Sequence, residues 1–232
     1  MKNFFLFFLG LFLGAVLITP VFSASDEECL GCHGEPSFST TLGSQTVSLY
    51  VNGASFSSSV HCGLGCTACH AGADVKSFPH PEGLNPVDCS GCHKTEVEKF
   101  TPSIHGQALA QGKDFAPHCY SCHGKHDILS KSDHLSPTFK MNIPALCGKC
   151  HREGQPVTKE YSMFEKNVVE NYRESIHGEG MFQKGLLVTA TCNDCHTSHE
   201  ILPHTAASST VNIKNVAKTC FKCHGMIEEV HK

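Results

Sequence analysis

Along the chain, apolar positions are continuous in one place only. Phe4 to Phe22 is a run of 19 residues without a charge, preceded by Lys2 and followed by acidic, polar sequence from Ala24 to Glu28. The run is just long enough to span a bilayer. Pro20 falls near its end, however, and Val21 and Ser23 place small enough side chains where a signal peptidase reads, so residues 1–23 are predicted to be a secretory signal cleaved after Ser23. An uncleaved anchor is the alternative, and either way the rest of the chain lies outside the cytoplasm. Beyond this run, periodic patterning is sparse. Thr46 to Val51 suits a short strand, and Tyr161, Phe164, Val168, Val169 and Tyr172 fall on one face of a helix.

Composition changes the picture. The 232 residues contain 15 Cys and 17 His but no Trp. Fourteen of the cysteines form seven Cys-x-x-Cys-His motifs: Cys29/Cys32/His33, Cys66/Cys69/His70, Cys89/Cys92/His93, Cys119/Cys122/His123, Cys147/Cys150/His151, Cys192/Cys195/His196 and Cys220/Cys223/His224. This is the attachment pattern of c-type haem, in which two thiols bond to the macrocycle edge and the next imidazole binds one face of the iron. A stray Cys-x-x-Cys also suits zinc or disulfide exchange, but a histidine after every copy favours seven covalently bound c-type haems. After residue 23 only about 30 residues remain per motif, too few to wrap each cofactor in an ordinary apolar core. The haems are therefore expected to form most of the core, with the apo chain largely unfolded. The formal charge of -4 has no basic patch that would argue for nucleic acid, and haem propionates would make the protein more acidic.

An internal repeat organises the motifs. Ser103-Ile104-His105-Gly106 matches Ser175-Ile176-His177-Gly178, His126-Asp127-Ile128-Leu129 matches His199-Glu200-Ile201-Leu202, and Asn142 matches Asn215 at an offset of 73. A weaker third copy begins at Phe56-x-x-Ser59-Val60-His61, with Cys62 where the others have glycine. The expected organisation is a first-haem segment (24–55) followed by three two-haem units (56–99, 100–171 and 172–232). The repeat also selects second axial ligands. His61, His105 and His177 share one slot, His126 and His199 share another, and His80 is their loose counterpart. His118, His134 and His204 have no counterparts. The last motif has no Ser-Ile-His after it, so His231 is its candidate ligand, or that iron is open or filled by a partner chain.

The stretch Phe56 to His151 resembles the periplasmic multihaem c-type cytochromes of iron- and sulfate-reducing bacteria. The likeness rests on Ser59-Val60-His61, Cys66-Thr67-Ala68-Cys69-His70, Ser103-Ile104-His105-Gly106 and Cys122-His123-Gly124-Lys125-His126-Asp127. It implies irons held by two imidazoles in a stacked row, and respiratory electron transfer. The expected fold is mainly α and irregular with few strands, a multihaem cytochrome c whose core is the haem chain. The expected function is non-enzymatic electron transfer in anaerobic respiration. The partners would be other redox proteins: a membrane quinol dehydrogenase, and a terminal reductase or outer-membrane cytochrome. Rival expectations are a reductase using an open seventh iron, a homo-oligomeric extracellular filament, and an anchored quinol dehydrogenase subunit. The chain departs from the anchored tetrahaem quinol-oxidising group in motif number and in its cleavage site.

Overall fold

Short helical turns linked by irregular chain make up most of the fold. In the computed structural model, residues 24–73, 80, 84, 86–161 and 166–225 are described. Residues 1–23, expected to be the signal segment, Phe164 and His231 lie outside them. In order, the elements are α1 (Ala24–His33), β1 (Ser39–Leu42), β2 (Gln45–Ser48), α2 (Gly53–Ser57), α3 (Cys66–Cys69), α4 (Lys94–Phe100), α5 (Ile104–Ala110), α6 (Cys119–His123), α7 (Ile143–His151), α8 (Pro156–Glu160), α9 (Val168–Glu174), α10 (Ile176–Phe182), α11 (Cys192–His196) and α12 (Val216–His224). Two single 3-10 turns, Cys89–Gly91 and Lys140–Asn142, complete the set. The architecture is mainly helical, with one antiparallel hairpin pairing Ser39 with Ser48 and Leu42 with Gln45. The predicted strand is therefore present as Gln45–Ser48, ending before Val51. The predicted helical stripe is shorter than its pattern: α9 starts at Val168, and Tyr161 lies outside it with its ring edge-on to Phe115 at 5.8 Å.

All seven Cys-x-x-Cys segments are helical turns. A helical turn sets residues three apart on one face, which brings each pair of thiols to one side. Local capping explains where the short turns begin. Thr191 donates its backbone N–H to Asp194 at 2.8 Å, and His118 donates its own to the Ser121 hydroxyl at 3.1 Å. At the first unit the cap comes from afar: buried Asp26 accepts from the Cys66 N–H at 2.8 Å, so α1 holds the start of α3.

Apolar packing is thin. Among the described residues the buried hydrophobic side chains are Phe56, Ala116, Ile143, Val169 and Met181. The chain exposes 17555 Å², against about 10,000 Å² for a compact protein of its mass. The polypeptide is held instead by repeated hydrogen bonds. Asn142 donates to the carbonyls of His134 and Ser136 at 2.9 and 2.8 Å, and Asn215 does the same to Ala207 and Ser209 at 2.8 and 2.9 Å. Buried Ser136 donates to Leu129 at 3.3 Å, as Ser209 does to Leu202 at 3.2 Å. The sequence offset of 73 is thus an offset between two equivalent loops. α7 packs on α8, α9 and α11, and Lys140 pairs with Asp194 at 3.2 Å, tying the second unit to the third.

Candidate metal centres

Each recurring Ser-Val/Ile-His slot is built by a backbone turn. Ser59, Ser103 and Ser175 donate their N–H groups to the aromatic residue three before, Phe56, Phe100 and Tyr172, at 2.9, 2.9 and 3.1 Å. In the second and third units the serine then caps a helix. Its hydroxyl accepts from the Gly106 N–H at 3.1 Å and from the Gly178 N–H at 3.2 Å, which starts α5 and α10 and fixes His105 and His177 in their first turns. Glycine is required there, because a Cβ would run into the carbonyl oxygens of Phe100 and Tyr172. In the first unit Cys62 carries such a Cβ. Ser59 instead accepts from the His61 N–H at 3.2 Å, and His61 lies in a turn rather than on a helix. The Tyr172 hydroxyl donates to Ala190 at 2.9 Å, two residues before the Cys192 motif.

Six histidines of the motifs face a second histidine. The ring centroids are 6.4 Å apart for His33 and His80, 6.0 Å for His70 and His126, 5.8 Å for His93 and His61, 6.1 Å for His123 and His199, 6.0 Å for His151 and His105, and 6.0 Å for His224 and His177. These distances are too long for stacking in contact. Two imidazoles on opposite faces of one metal ion, with metal–nitrogen bonds of about 2.0 Å and a ring radius of about 1.15 Å, have centroids about 6.3 Å apart. Among the described residues no group of three or more His, Cys, Asp or Glu side chains converges on one point. The chain thus offers two imidazoles beside a Cys-x-x-Cys turn at each of these six places, and these residues would hold a macrocyclic metal group. None of the fifteen cysteines is paired in a disulfide. The residues present fit covalently attached haem.

The pairs follow one rule. Each Ser-Val/Ile-His histidine faces the second motif of its own unit: His61 with His93, His105 with His151, His177 with His224. Each other histidine reaches back to the preceding unit: His126 to His70 and His199 to His123, with His80 reaching to the leading motif at His33. The last motif, expected to want a ligand, therefore faces His177. Here too the Ser-Ile-His lies upstream of the motif it faces, while His231, the ligand expected for this motif, lies outside the described residues. His196 is the motif histidine that no imidazole faces among the described residues. His118 stacks on Tyr120 at 4.9 Å and His134 sits beside Asp133, while His204 gives its carbonyl to Asn212.

The motifs also run in sequence order through space. Cys66 lies against Cys29, Cys89 against Cys119 and Cys147 against Cys192, each within thiol hydrogen-bonding reach. Between these couples, Cys69 neighbours Cys89, Cys122 neighbours Cys150, and Cys195 neighbours Cys220 and Cys223. Burial and the neighbouring Asp26 push the Cys66 thiol up to about 12, and the Cys147 thiol, donating to Cys192, brings Cys192 down to about 7. Burial lowers the pKa of His70, His105, His123, His126, His151 and His196, keeping their imidazoles in the neutral form that binds metal.

Six motif thiols, Cys32, Cys69, Cys92, Cys119, Cys220 and Cys223, are exposed, while Cys29, Cys66 and Cys89, the first thiols of three of these motifs, are half-buried. At Cys32 and Cys92 the following chain accounts for the exposure. The reason is local. Cys32 stands in the last turn of α1, where the chain turns away as its carbonyl accepts from the Glu35 N–H at 3.1 Å. Cys92 closes the 3-10 turn, donating its N–H to Cys89 at 3.3 Å, and the following helix α4 buries none of its residues. Neither joins the couples of adjoining thiols described above. Each keeps its place three residues from its motif partner.

The histidine slots and the cysteine pair of each motif were visible in the sequence. Asp26 was not: its partner is 40 residues away, and nothing in the local pattern marks it. No helix among the described residues is long and apolar enough to cross a membrane. Comparison with known proteins gave no significant match, whether to a family model, a curated protein or a solved structure.

Proposed function

We propose that this chain is an exported, periplasmic heptahaem c-type cytochrome that passes electrons between a membrane donor and a terminal acceptor in anaerobic respiration. The observation that carries the reading is the set of six facing imidazole pairs, each beside a Cys-x-x-Cys turn, with ring centroids 5.8 to 6.4 Å apart. Bound haem would supply one-electron redox chemistry. The chain does the rest. The two thiols of each motif would hold the macrocycle covalently through thioether bonds, which form without an oxidant. The paired imidazoles would hold the bound iron, and two such ligands favour electron exchange with little rearrangement. The contiguous order of the motifs, from Cys29 to Cys223, makes a single row with one end near α1 and the other at α12. The partners are other redox proteins, docking at these ends.

Denaturing mass spectrometry of protein made in a host competent for haem attachment tests the reading. The expected mass is residues 24–232 plus seven haems. Five or fewer haems would overturn it, and an intact Met1 in membrane fractions would replace the cleaved signal by an anchor.

A further inference from the structure

We infer that the buried carboxylate of Asp26 holds down the reduction potentials of the haems at the Cys29 and Cys66 motifs, so that electrons enter the row at the α1 end and leave toward α12. The inference rests on the haem reading above and names the end at which the electron donor docks. Asp26 is 1 % exposed, and its carboxylate accepts from the Cys66 N–H at 2.8 Å. It lies against the Cys66 thiol, which in turn lies against Cys29. In α1 it stands one helical turn before Cys29. Gly65 lets the carboxylate come this close: a Cβ there would sit 3.3 Å from Oδ1. A negative charge shielded from water favours the oxidised, more positive iron, and so lowers the potential.

The other two couples of adjoining thiols show why this end differs. Each also has an aspartate. Asp88 precedes Cys89 but is exposed, so solvent and salt screen its charge. Asp194 stands between Cys192 and Cys195, and Lys140 pairs with it at 3.2 Å, which offsets its charge. Asp26 combines burial with the lack of any ion pair to the described residues. Electrons run from lower to higher potential, so the row leads away from α1.

The test uses the full-length holoprotein, with mass spectrometry to count haems and a redox titration at neutral pH followed by electron paramagnetic resonance. Asp26→Asn keeps the size of the side chain and an oxygen for the Cys66 N–H, and removes the charge. It should keep seven haems and raise the potential of two irons, each by about tenfold in its reduction equilibrium, ~59 mV for one electron. In the wild type the same two irons should be the lowest of the seven. Asp88→Asn should move no iron as far. His126→Ala marks the Cys66 motif with a high-spin signal, and His177→Ala marks the Cys220 motif in the same way. Adding Asp26→Asn should raise the potential of the first marker and leave the second unmoved. The inference is overturned if no potential moves, if all seven move together, or if the marker at Cys220 moves instead. It is overturned too if Asp88→Asn has an equal effect, or if the two irons that move are not the lowest in the wild type. Fewer than seven haems in Asp26→Asn would also overturn it, because the carboxylate would then serve attachment. A wild type without haem overturns the proposed function itself, and is told apart from the other results by its mass.

Discussion

Ile104 donates its backbone N–H to the carbonyl oxygen of Ile201 at 2.8 Å, and Val60 makes the same bond to Ile128 at 2.8 Å. Each bond joins one unit to the next beside two candidate ligands: Ile104 precedes His105, and Ile201 lies two residues after His199. Unit-to-unit register is thus set at the sites themselves. Ile176, the third residue of this kind, has no acceptor among the described residues, and it is 71 % exposed. Hydrogen exchange of the holoprotein should therefore find the Val60 and Ile104 amides protected and the Ile176 amide fast. Equal protection at all three would mean that something else covers the third unit.

The tight approach at Gly178 gives a second expectation. Its Cβ would meet the Tyr172 carbonyl and the Arg173 backbone, with no flexible side chain to give way. Gly178→Ala should destabilise by roughly 1–3 kcal/mol, as overpacking does, and loosen His177. Cys62→Gly, at the matching position of the first unit, should change stability little, because Cys62 is exposed and His61 already sits in a turn. Thermal unfolding of the two variants distinguishes them, and a large loss in Cys62→Gly would show that the thiol has a structural role.

These contrasts show what the sequence could and could not say. The histidine slots were legible because Ser, a branched residue and His recur at fixed spacing, and the local turn that carries them is made by those same residues. The partner of each histidine was not legible. Pairing joins positions 32 to 76 residues apart, and only the fold reveals that one slot serves its own unit while the other reaches back. The helical stripe ending at Tyr172 was over-read for a related reason. Tyr161 satisfies the period, but its ring packs on Phe115 instead of continuing α9.

Thr197 follows His196 with φ of 68°, and it is the one non-glycine with positive φ among the described residues. Its counterpart in the second unit, Gly124, has φ of 88°. A β-branched residue in this region costs of order 1–3 kcal/mol, whereas glycine adopts it freely. Thr197→Gly should raise stability, by about 1 kcal/mol once the greater freedom of glycine in the unfolded chain is subtracted. A lower melting temperature in the variant would show that the threonine side chain holds this turn.

Acid should weaken the fold. Burial, with neighbouring imidazoles adding to it in most cases, lowers the pKa of His70, His105, His123, His126, His151 and His196. A histidine with a folded pKa below its unfolded value of about 6.5 contributes stability that is present above that value. The contribution is lost as pH falls toward the folded pKa. Protons also compete with metal for the same nitrogen, so the two effects have one sign. Melting temperature should drop as pH falls from about 7.5 to about 5, a window that brackets the unfolded value, together with growth of high-spin absorption. A flat melting temperature over that interval would remove these histidines from the stability of the holoprotein.

The two kinds of pair differ in ring orientation, and this has a spectroscopic consequence. The pairs that reach back between units are closer to parallel, with interplanar angles of 13° for His33 and His80, 35° for His70 and His126, and 26° for His123 and His199. The pairs within a unit are more crossed, at 65° for His61 and His93, 47° for His105 and His151, and 46° for His177 and His224. Parallel imidazole planes donate into the same iron d orbital and split it from its partner, which gives a rhombic low-spin signal. Crossed planes donate into both, leave them nearly degenerate and give a more anisotropic one. The oxidised protein should show both classes. His199→Ala should remove intensity from the rhombic class and His177→Ala from the anisotropic class, each variant gaining one high-spin iron. If both variants deplete the same class, ring orientation does not follow the pairing rule. If neither gains a high-spin iron while keeping seven haems, these histidines are not ligands at all.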